Sequence, residues 1–361
     1  ARGRCAKGRA RGPGGGGDVS FGALPRYKLT IAYDGTDFHG WQRQFVGPRV
    51  ERGEREGRGE EESGSRVALI QPHPEGGGGG GGEGERESTA GPERPAVAPG
   101  KEAARAELRT VQGVVEAAVR QVVREPVCVF GASRTDSGVH ARGQVAAFTT
   151  GRERGRGWPP ERGTEPLLRA INSRLPDDVL VLSCEEVDVH FDPVKASNKG
   201  YSYTWHISPV RPLWGRRYVH HVKTPVDVEA MNAAAGLFVG EHDFAAFAAA
   251  GHGRQSTVRT VYSCSVKRVE NAEGRDAGER VRLEISGNGF LWNMVRIIGG
   301  TVLEVGMGKR TLDDVRRALE SGDRRDAGVT LPPEGLCLEW IEYGERDDGT
   351  EARRDGAGED A

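Results

Sequence analysis

The sequence lacks the motifs of several common protein classes. It has no run of about 18 apolar residues, so no segment is predicted to span a membrane. No glycine-rich phosphate loop follows a predicted strand, which leaves nucleotide-driven chemistry without support. His39, His140 and His242 do not have metal-ligand spacing. We therefore expect no metal site.

Cysteine is scarce and scattered. The five cysteines are an odd number, and no two of them form a CxxC pair, which argues against a zinc site or a disulfide framework. Three lie in apolar, strand-like segments, where reduced buried thiols are expected. This usage predicts a reducing intracellular compartment, with cytoplasm or nucleus favoured and a chloroplast or mitochondrion left open. The cysteines are Cys5, Cys128, Cys184, Cys264 and Cys337.

The chain also has no large excess of either charge. Its 51 Lys and Arg residues nearly balance its 53 Asp and Glu residues, which gives a net charge of −2. This balance excludes a globally basic protein but not a local basic patch. Several arginines and a lysine precede the first acid, Asp18, and residues 1–23 are predicted to be a disordered basic arm. An organelle-targeting remnant or an arm that contacts nucleic acid is the alternative. Residues 346–361 are predicted to be a disordered tail.

Glycine, in contrast, is abundant and unevenly spread. The chain has 54 glycines, and Gly76–Gly82 is an unbroken run. Charged, glycine-rich sequence of this kind cannot bury enough apolar surface to offset the entropy of ordering its backbone. Residues 46–107 are therefore predicted to be a low-complexity insertion on a surface loop, where added length costs little closure entropy.

Hydrophobic periodicity outside these segments predicts an α+β protein. Period-two alternation predicts strands, and i, i+3, i+4, i+7 spacing predicts helices. The predicted strands are 27–33, 127–130, 144–149, 179–187, 201–207, 257–267, 280–286 and 336–343. The predicted helices are 111–122, 167–175, 228–239, 290–305 and one after Thr311, whose spacing to Asp314 resembles a capping box. An N-terminal subdomain (24–190) and a C-terminal subdomain (191–345) each have the split βαβ pattern of ferredoxin-like domains.

The segment from Arg134 to Ala141 is the first candidate site. It places Asp136 in a tight turn between two apolar runs, with Arg134 and His140 close by. A carboxylate at a turn is most often a turn-former or a helix cap. The arginine and the histidine favour a reactive site, because the turn itself requires neither of them.

An aspartic protease is an alternative for the same turn, because Asp136-Ser137-Gly138 matches the Asp-Ser/Thr-Gly triplet of those enzymes. They need two such carboxylates that share one proton. This chain has one copy, preceded by Arg134 and Thr135 where an apolar strand would be expected. Only a homodimer could supply the pair, so the alternative is weak.

Arg296 is the second candidate, because it lies within a strongly apolar predicted helix. Its neighbours one helical turn away are Trp292, Asn293, Gly299 and Gly300, a small and polar face that would allow a close backbone approach. Long arginine stems often reach solvent from such places. A guanidinium that stays buried needs a carboxylate or a phosphate as its partner.

Seven sequence blocks resemble, in order, those of the tRNA pseudouridine synthase A family. Together they span about Tyr27 to Tyr343, and Arg134–Ala141 resembles the catalytic block of the family. Ser137 stands where alanine is common, and the segment before Tyr201 is one residue shorter than usual. The blocks are Asp34–Gln44, Thr110–Gln112, Phe130–Gly143, Asn172–Pro176, Gly240–Phe247, Phe290–Arg296 and Pro333–Leu336.

The resemblance implies both a fold and an activity. The fold would be two fused ferredoxin-like subdomains that share a central antiparallel sheet, with a cleft between them. The activity would be isomerisation of uridine to pseudouridine in the anticodon stem-loop of tRNA (the class acting at positions 38 to 40), without metal or other cofactor. A homodimer is implied, in which one subunit helps to hold the tRNA on the other.

The resemblance also implies roles for individual residues. Asp136 would be the catalytic nucleophile, Arg134 would help to displace the target base, Tyr201 would lie against the base, and Arg296 would pair with Asp136. Such chemistry suits a carboxylate, which can hold a fragment covalently while one bond breaks and another forms. An ion pair to Arg296 is expected to keep Asp136 charged. A catalytically silent tRNA-binding relative is the rival hypothesis.

Overall fold

The computed structural model describes residues 24–46, 106–151, 156–249, 256–269 and 278–344. The chain divides into two compact units, residues 43–109 and the remainder. The predicted basic arm, the predicted tail and most of the predicted insertion lie outside the described residues. Of the smaller unit, the described residues include one antiparallel pair in which Phe45 lies opposite Glu107 and Val46 opposite Ala106. Arg43 forms an ion pair with Glu107 at 2.6 Å.

The described residues contain twelve strands and five α-helices. The strands are β1 (Arg26–Tyr33), β2 (Phe45–Val46), β3 (Ala106–Glu107), β4 (Phe130–Gly131), β5 (His140–Thr149), β6 (Val179–Val187), β7 (Asn198–Ile207), β8 (His220–Val222), β9 (Gly240–Asp243), β10 (Val258–Val269), β11 (Glu279–Gly287) and β12 (Leu336–Glu342). The helices are α1 (Val111–Val123), α2 (Thr164–Asn172), α3 (Val228–Gly236), α4 (Met294–Gly306) and α5 (Leu312–Ser321). No helix in these ranges is long and apolar enough to cross a membrane.

Ten strands form one sheet in the larger unit, in the order β6-β1-β5-β12-β7-β11-β10-β9, with β4 added to β5 and β8 added to β7. The prediction of an α+β fold with one large, mostly antiparallel sheet is confirmed. The exceptions are the β7–β8 pair and the β5–β12 pair, which are parallel. In the β5–β12 pair His140 lies opposite Cys337, so the strand that follows the Asp136 turn is also the strand that joins the two halves of the sheet.

The helices bury their apolar faces against this sheet. In α1, Val111, Val115 and Val119 are fully buried, at the spacing that the sequence predicts. Thr110 caps that helix by accepting a hydrogen bond from the Gly113 N–H. The predicted capping box of α5 is confirmed, because Thr311 and Asp314 bond reciprocally.

Helix α4 lies close to the segment before β12 because it carries two consecutive glycines. A Cβ on Gly300 would lie 1.9 Å from the carbonyl oxygen of Val329, and one on Gly299 would lie 3.2 Å from Leu331. The sequence predicted that the small face of this helix would allow a close backbone approach, and the backbone at Val329 does lie against it. Leu331, which lies against this face, also accepts a hydrogen bond from Arg296 Nε at 2.6 Å.

Several predicted bounds differ from the structure, among them those of the helices predicted at 167–175 and 228–239, which are α2 (Thr164–Asn172) and α3 (Val228–Gly236). Two further differences have a clear physical cause. Residues 127–129 form no strand, because side chains of α1 bond their backbone: Gln112 donates to the Val129 carbonyl at 2.9 Å, and Glu116 accepts from the Val129 N–H at 3.0 Å. Helix α4 begins at Met294 rather than at residue 290, because Asn293 has a left-handed φ of 61° and ends the preceding segment.

Candidate active site

The Asp136 turn is tighter than its sequence suggests. Strand β5 begins at His140, within the predicted turn, and β4 ends at Gly131. The Val139 N–H donates to the Asp136 carbonyl at 3.2 Å. Gly138 has a φ of +79°, a conformation that glycine adopts without a steric penalty. The backbone around the carboxylate is thus held by its own local geometry.

The loop after β1 provides a second layer of support. The carbonyl of Phe38 accepts from the Gly138 N–H at 3.2 Å and from the Ser137 hydroxyl at 3.1 Å. The Trp41 N–H donates to the carbonyl of Thr135 at 3.1 Å. The first sequence block of the chain therefore binds the backbone of the Asp136 turn about 100 residues further along.

Two glycines allow this loop to approach the turn. A Cβ on Gly35 would lie 2.0 Å from the Val139 carbonyl oxygen. Gly40 has a φ of +88°, and its Cβ would lie 2.6 Å from the Thr135 carbonyl oxygen. Real Cβ contacts are never this short, so glycine is required at both positions.

His140 supports the turn through both ring nitrogens. Its Nδ1 accepts from the Gly35 N–H at 3.0 Å, and its Nε2–H donates to the Arg217 carbonyl at 2.9 Å. The neutral ring is favoured because burial lowers the pKa of His140, although the nearby Asp34 carboxylate opposes this shift. Tyr218 packs on the ring with centroids 4.9 Å apart. Since each nitrogen is already engaged, a structural role fits His140 better than proton transfer.

The carboxylate of Asp136 lies between the side chains of Arg296 and Trp292, which are far from it in the sequence. Oδ2 is 3.5 Å from the Arg296 guanidinium, and Oδ1 accepts from the Trp292 indole N–H at 3.1 Å. The Asp136 side chain is 31% exposed, whereas that of Arg296 is 15% exposed. An exposed edge of the carboxylate therefore faces solvent, while its charge is balanced from the protein side.

Two other hydrogen bonds hold the Arg296 guanidinium in place beside Asp136. Its Nε donates to the Leu331 carbonyl at 2.6 Å, and its Nη1, the same nitrogen that approaches Asp136, donates to Asn293 Oδ1 at 2.7 Å. These two bonds hold the guanidinium plane in one orientation, as its planar geometry allows.

Burial dominates the electrostatics of the carboxylate. It raises the pKa of Asp136 above its usual value, while the charge of Arg296 and the hydrogen bond from Trp292 oppose this rise. Arg296 therefore lowers the pKa of Asp136, as expected, but burial raises this pKa by more, so the net shift is upward. The two donors limit a shift that burial would otherwise make larger.

Tyr201 lies beside this site on β7. Its hydroxyl bonds the Ser133 hydroxyl at 2.9 Å, and its ring makes an edge contact with Phe290 at 5.1 Å between centroids. Burial raises the pKa of Tyr201 to about 12, and the Asp136 charge acts in the same direction. The phenol therefore stays neutral, and it is near enough to Asp136 to feel the charge of that carboxylate.

Arg134 takes no part in these contacts. Its side chain is exposed, and within the described parts of the chain its guanidinium has no hydrogen-bond or ion-pair partner. Asp136, Arg296 and Tyr201 are thus grouped by the fold. Arg134 adds an unpaired cation on the same turn, two residues before the carboxylate.

Trp292 as a partner of Asp136 was missed by reasoning from the sequence. The apolar pattern placed Trp292 and Asn293 inside a helix, as neighbours of Arg296. In the structure they precede the helix, and the left-handed Asn293 turns the chain there. The block Phe290–Arg296 marked the segment as important, but a hydrogen bond between residues 156 positions apart has no local signal.

Known proteins resemble this chain over most of its length. A family model for tRNA pseudouridine synthase matches residues 234–344. The tRNA pseudouridine synthase A of Brevibacillus brevis is 42% identical over 238 residues, which are 65% of this chain and 90% of that protein. The chain belongs to the tRNA pseudouridine synthase A family.

Other members of the tRNA pseudouridine synthase A family extend the match. The tRNA pseudouridine synthase A 2 of Clostridium perfringens is 33% identical over 317 residues, 88% of this chain and 98% of that protein. The tRNA pseudouridine synthase A of Geotalea uraniireducens is 42% identical over 235 residues, 65% of this chain and 90% of that protein. The segment matched by the family model contains Trp292 and Arg296, whereas Asp136 and Tyr201 precede it.

Proposed function

We propose that this protein is an isomerase that converts uridine to pseudouridine in tRNA, with Asp136 as its nucleophile. The names of its relatives supply the substrate and the reaction. The observation that carries the role of Asp136 is its position, because the carboxylate is partly exposed and held between Arg296 and Trp292. Apart from this pair of donors, the carboxylate is free to meet a substrate.

The reaction rearranges atoms without a co-reactant. The bond between uracil N1 and the ribose carbon breaks, the ring turns, and C5 bonds to the same ribose carbon. The proton on C5 leaves and N1 gains a proton, so substrate and product are isomers. Asp136 can form a covalent bond to the ribose or to the ring between these steps, which divides one difficult step into two.

The neighbouring side chains suit distinct tasks in this scheme. Arg296 balances the charge of Asp136. Its own bonds to Leu331 and Asn293 keep the guanidinium oriented toward that carboxylate. The ring of Tyr201 offers an apolar surface for the target base. The exposed guanidinium of Arg134 is long and planar, so it can fill the space left by a uridine that rotates out of its helix.

We further propose the substrate site and the assembly that the family resemblance implies. The target uridines lie in the anticodon stem-loop, a homodimer binds the tRNA, and the reaction needs no cofactor. Residues 24–190 and 191–345 would be two ferredoxin-like subdomains. Their strand orders, β6-β1-β5-β4 and β12-β7-β11-β10, support this. With the short strands β2, β3, β8 and β9 left out, both read fourth-first-third-second along their own chain segment.

Tritium release tests the function directly. When tRNA carries tritium on uridine C5, pseudouridine formation releases one tritium to water per turnover. The wild type is expected to release it, and Asp136→Asn is expected to lose at least ~1,000-fold in rate because an amide is a poor nucleophile. Asp313→Asn, an exposed change on α5, is the matched control and should be fully active.

Each outcome of this experiment is informative. Equal release by wild type and Asp136→Asn would remove Asp136 from the mechanism. Binding of tRNA without release by the wild type would favour the silent tRNA-binding relative instead. Chemical mapping of pseudouridine in the product then locates the target, and modification confined to sites outside the anticodon stem-loop would refute that part of the proposal.

A further inference from the structure

Trp292 is placed unusually for so large a side chain. Its surface is 46% exposed, although the residue lies directly before the buried helix α4. Its backbone is anchored, because its carbonyl accepts from the Ala249 N–H at 3.0 Å. The left-handed conformation of Asn293 then separates it from the helix. The indole is thus held at the surface by a fixed backbone.

The indole N–H uses this position to reach the candidate nucleophile. It donates to Asp136 Oδ1 at 3.1 Å, while Arg296 approaches Oδ2 at 3.5 Å. In the part of the chain that the structure describes, the Asp136 carboxylate has no other side-chain or backbone partner. Of the two contacts, the one from Trp292 is the shorter and has ordinary hydrogen-bond length.

We propose that Trp292 is a positioning residue for Asp136, whose indole N–H holds Oδ1 and thereby sets the plane of the carboxylate toward the target uridine. This inference rests on the proposed function of Asp136. Two donors, one at each oxygen, stop the carboxylate from rotating about its last side-chain bond. A carboxylate held by Arg296 alone would keep its charge balance but lose this restraint.

Electrostatics agree with the geometry. Burial raises the pKa of Asp136, and the hydrogen bond from Trp292 is one of the effects that oppose it. Because the nucleophile must be ionised, loss of the N–H should weaken activity most at acidic pH. A side chain that only filled space would not alter this pH dependence.

Trp292→Phe separates the N–H from the aromatic ring. The variant is expected to have about 5-fold lower kcat at pH 8, and the acid limb of its pH–rate profile is expected to move to higher pH. KM for tRNA should change less than about 2-fold, since an aromatic ring is retained. Trp214→Phe, which removes another exposed indole N–H, is the matched control and should behave like the wild type. Circular dichroism and Tm verify that each variant is folded.

Trp292→Leu distinguishes positioning from stacking. If Trp292→Phe matches the wild type at every pH while Trp292→Leu raises KM, the ring binds RNA and the proposal is overturned. Unchanged kcat and an unchanged acid limb in both variants would also overturn it. These results would leave the proposed function intact, because that function fails only if the wild type forms no pseudouridine or Asp136→Asn remains active.

Discussion

The Arg296 guanidinium lies 3.5 Å from the Asp136 carboxylate, although 160 residues separate the two in the chain. Asp136 follows the short strand β4 in the first half of the sheet, whereas Arg296 is in the first turn of α4 in the second half. The parallel pairing of β5 with β12 joins these two halves.

Removal of the Arg296 charge should reduce activity strongly while tRNA binding is largely kept. Arg296→Met leaves Asp136 partly buried without its cation, so we expect kcat to fall by about 100-fold or more. Arg296→Lys restores charge but not the fork that bonds Leu331 and Asn293, and should recover only part of the loss. Tritium release and a filter-binding assay measure the two effects, with exposed Arg169→Met as control. Unchanged turnover in Arg296→Met would refute the pairing.

Asp136→Asn should stabilise the fold at neutral pH. Burial raises the pKa of Asp136 in the folded protein, so folding becomes less favourable as pH rises from the usual carboxyl pKa of about 3.9 through the folded value. The amide does not ionise and avoids this cost. We expect Tm to rise by roughly 1 to 3 °C at pH 7, with the difference shrinking as pH falls toward about 4. A lower Tm at pH 7 would show that the contacts of the carboxylate outweigh its burial.

Gly35→Ala should disrupt the support of the Asp136 turn. The new Cβ would lie 2.0 Å from the Val139 carbonyl oxygen, so the loop or the turn must move. We expect a loss of about 2 to 4 kcal/mol in the free energy of unfolding, with kcat reduced in the protein that remains folded. Gly236→Ala is the control, because nothing lies within 4 Å of its Cβ, and it should be neutral or stabilising by up to about 1 kcal/mol. Denaturant unfolding measures both, and equal stabilities would contradict this interpretation.

Replacement of residues 47–105 by Asn-Gly should leave a folded and active enzyme. Val46 and Ala106 are antiparallel partners, and a two-residue turn of this type joins such partners. We expect Tm to stay within about 3 °C of the wild type and kcat to be retained. A shortened chain that fails to fold would show that the insertion is structural. A raised KM with unchanged kcat would instead assign the insertion a part in tRNA binding.

Much of this fold could be predicted because its elements have clear local patterns. The bounds of β6 were predicted without error, and those of α1 and β11 within one residue. The segment 127–129 could not be predicted correctly, because Gln112 and Glu116 take the backbone bonds that a strand partner would otherwise make. Likewise, the start of α4 depends on the left-handed φ of Asn293, and the spacing of apolar residues does not predict that angle.

The sequence by itself determined the α+β class, the family and the candidate residues Asp136, Arg134, Tyr201 and Arg296, because motifs and periodicity are properties of nearby residues. The tertiary structure alone decided that Trp292 bonds Asp136 and that Arg134 is exposed. It also decided that burial outweighs the nearby cation in the pKa of Asp136. These relationships arise when distant segments pack together and exclude water, and no local pattern encodes the resulting distances.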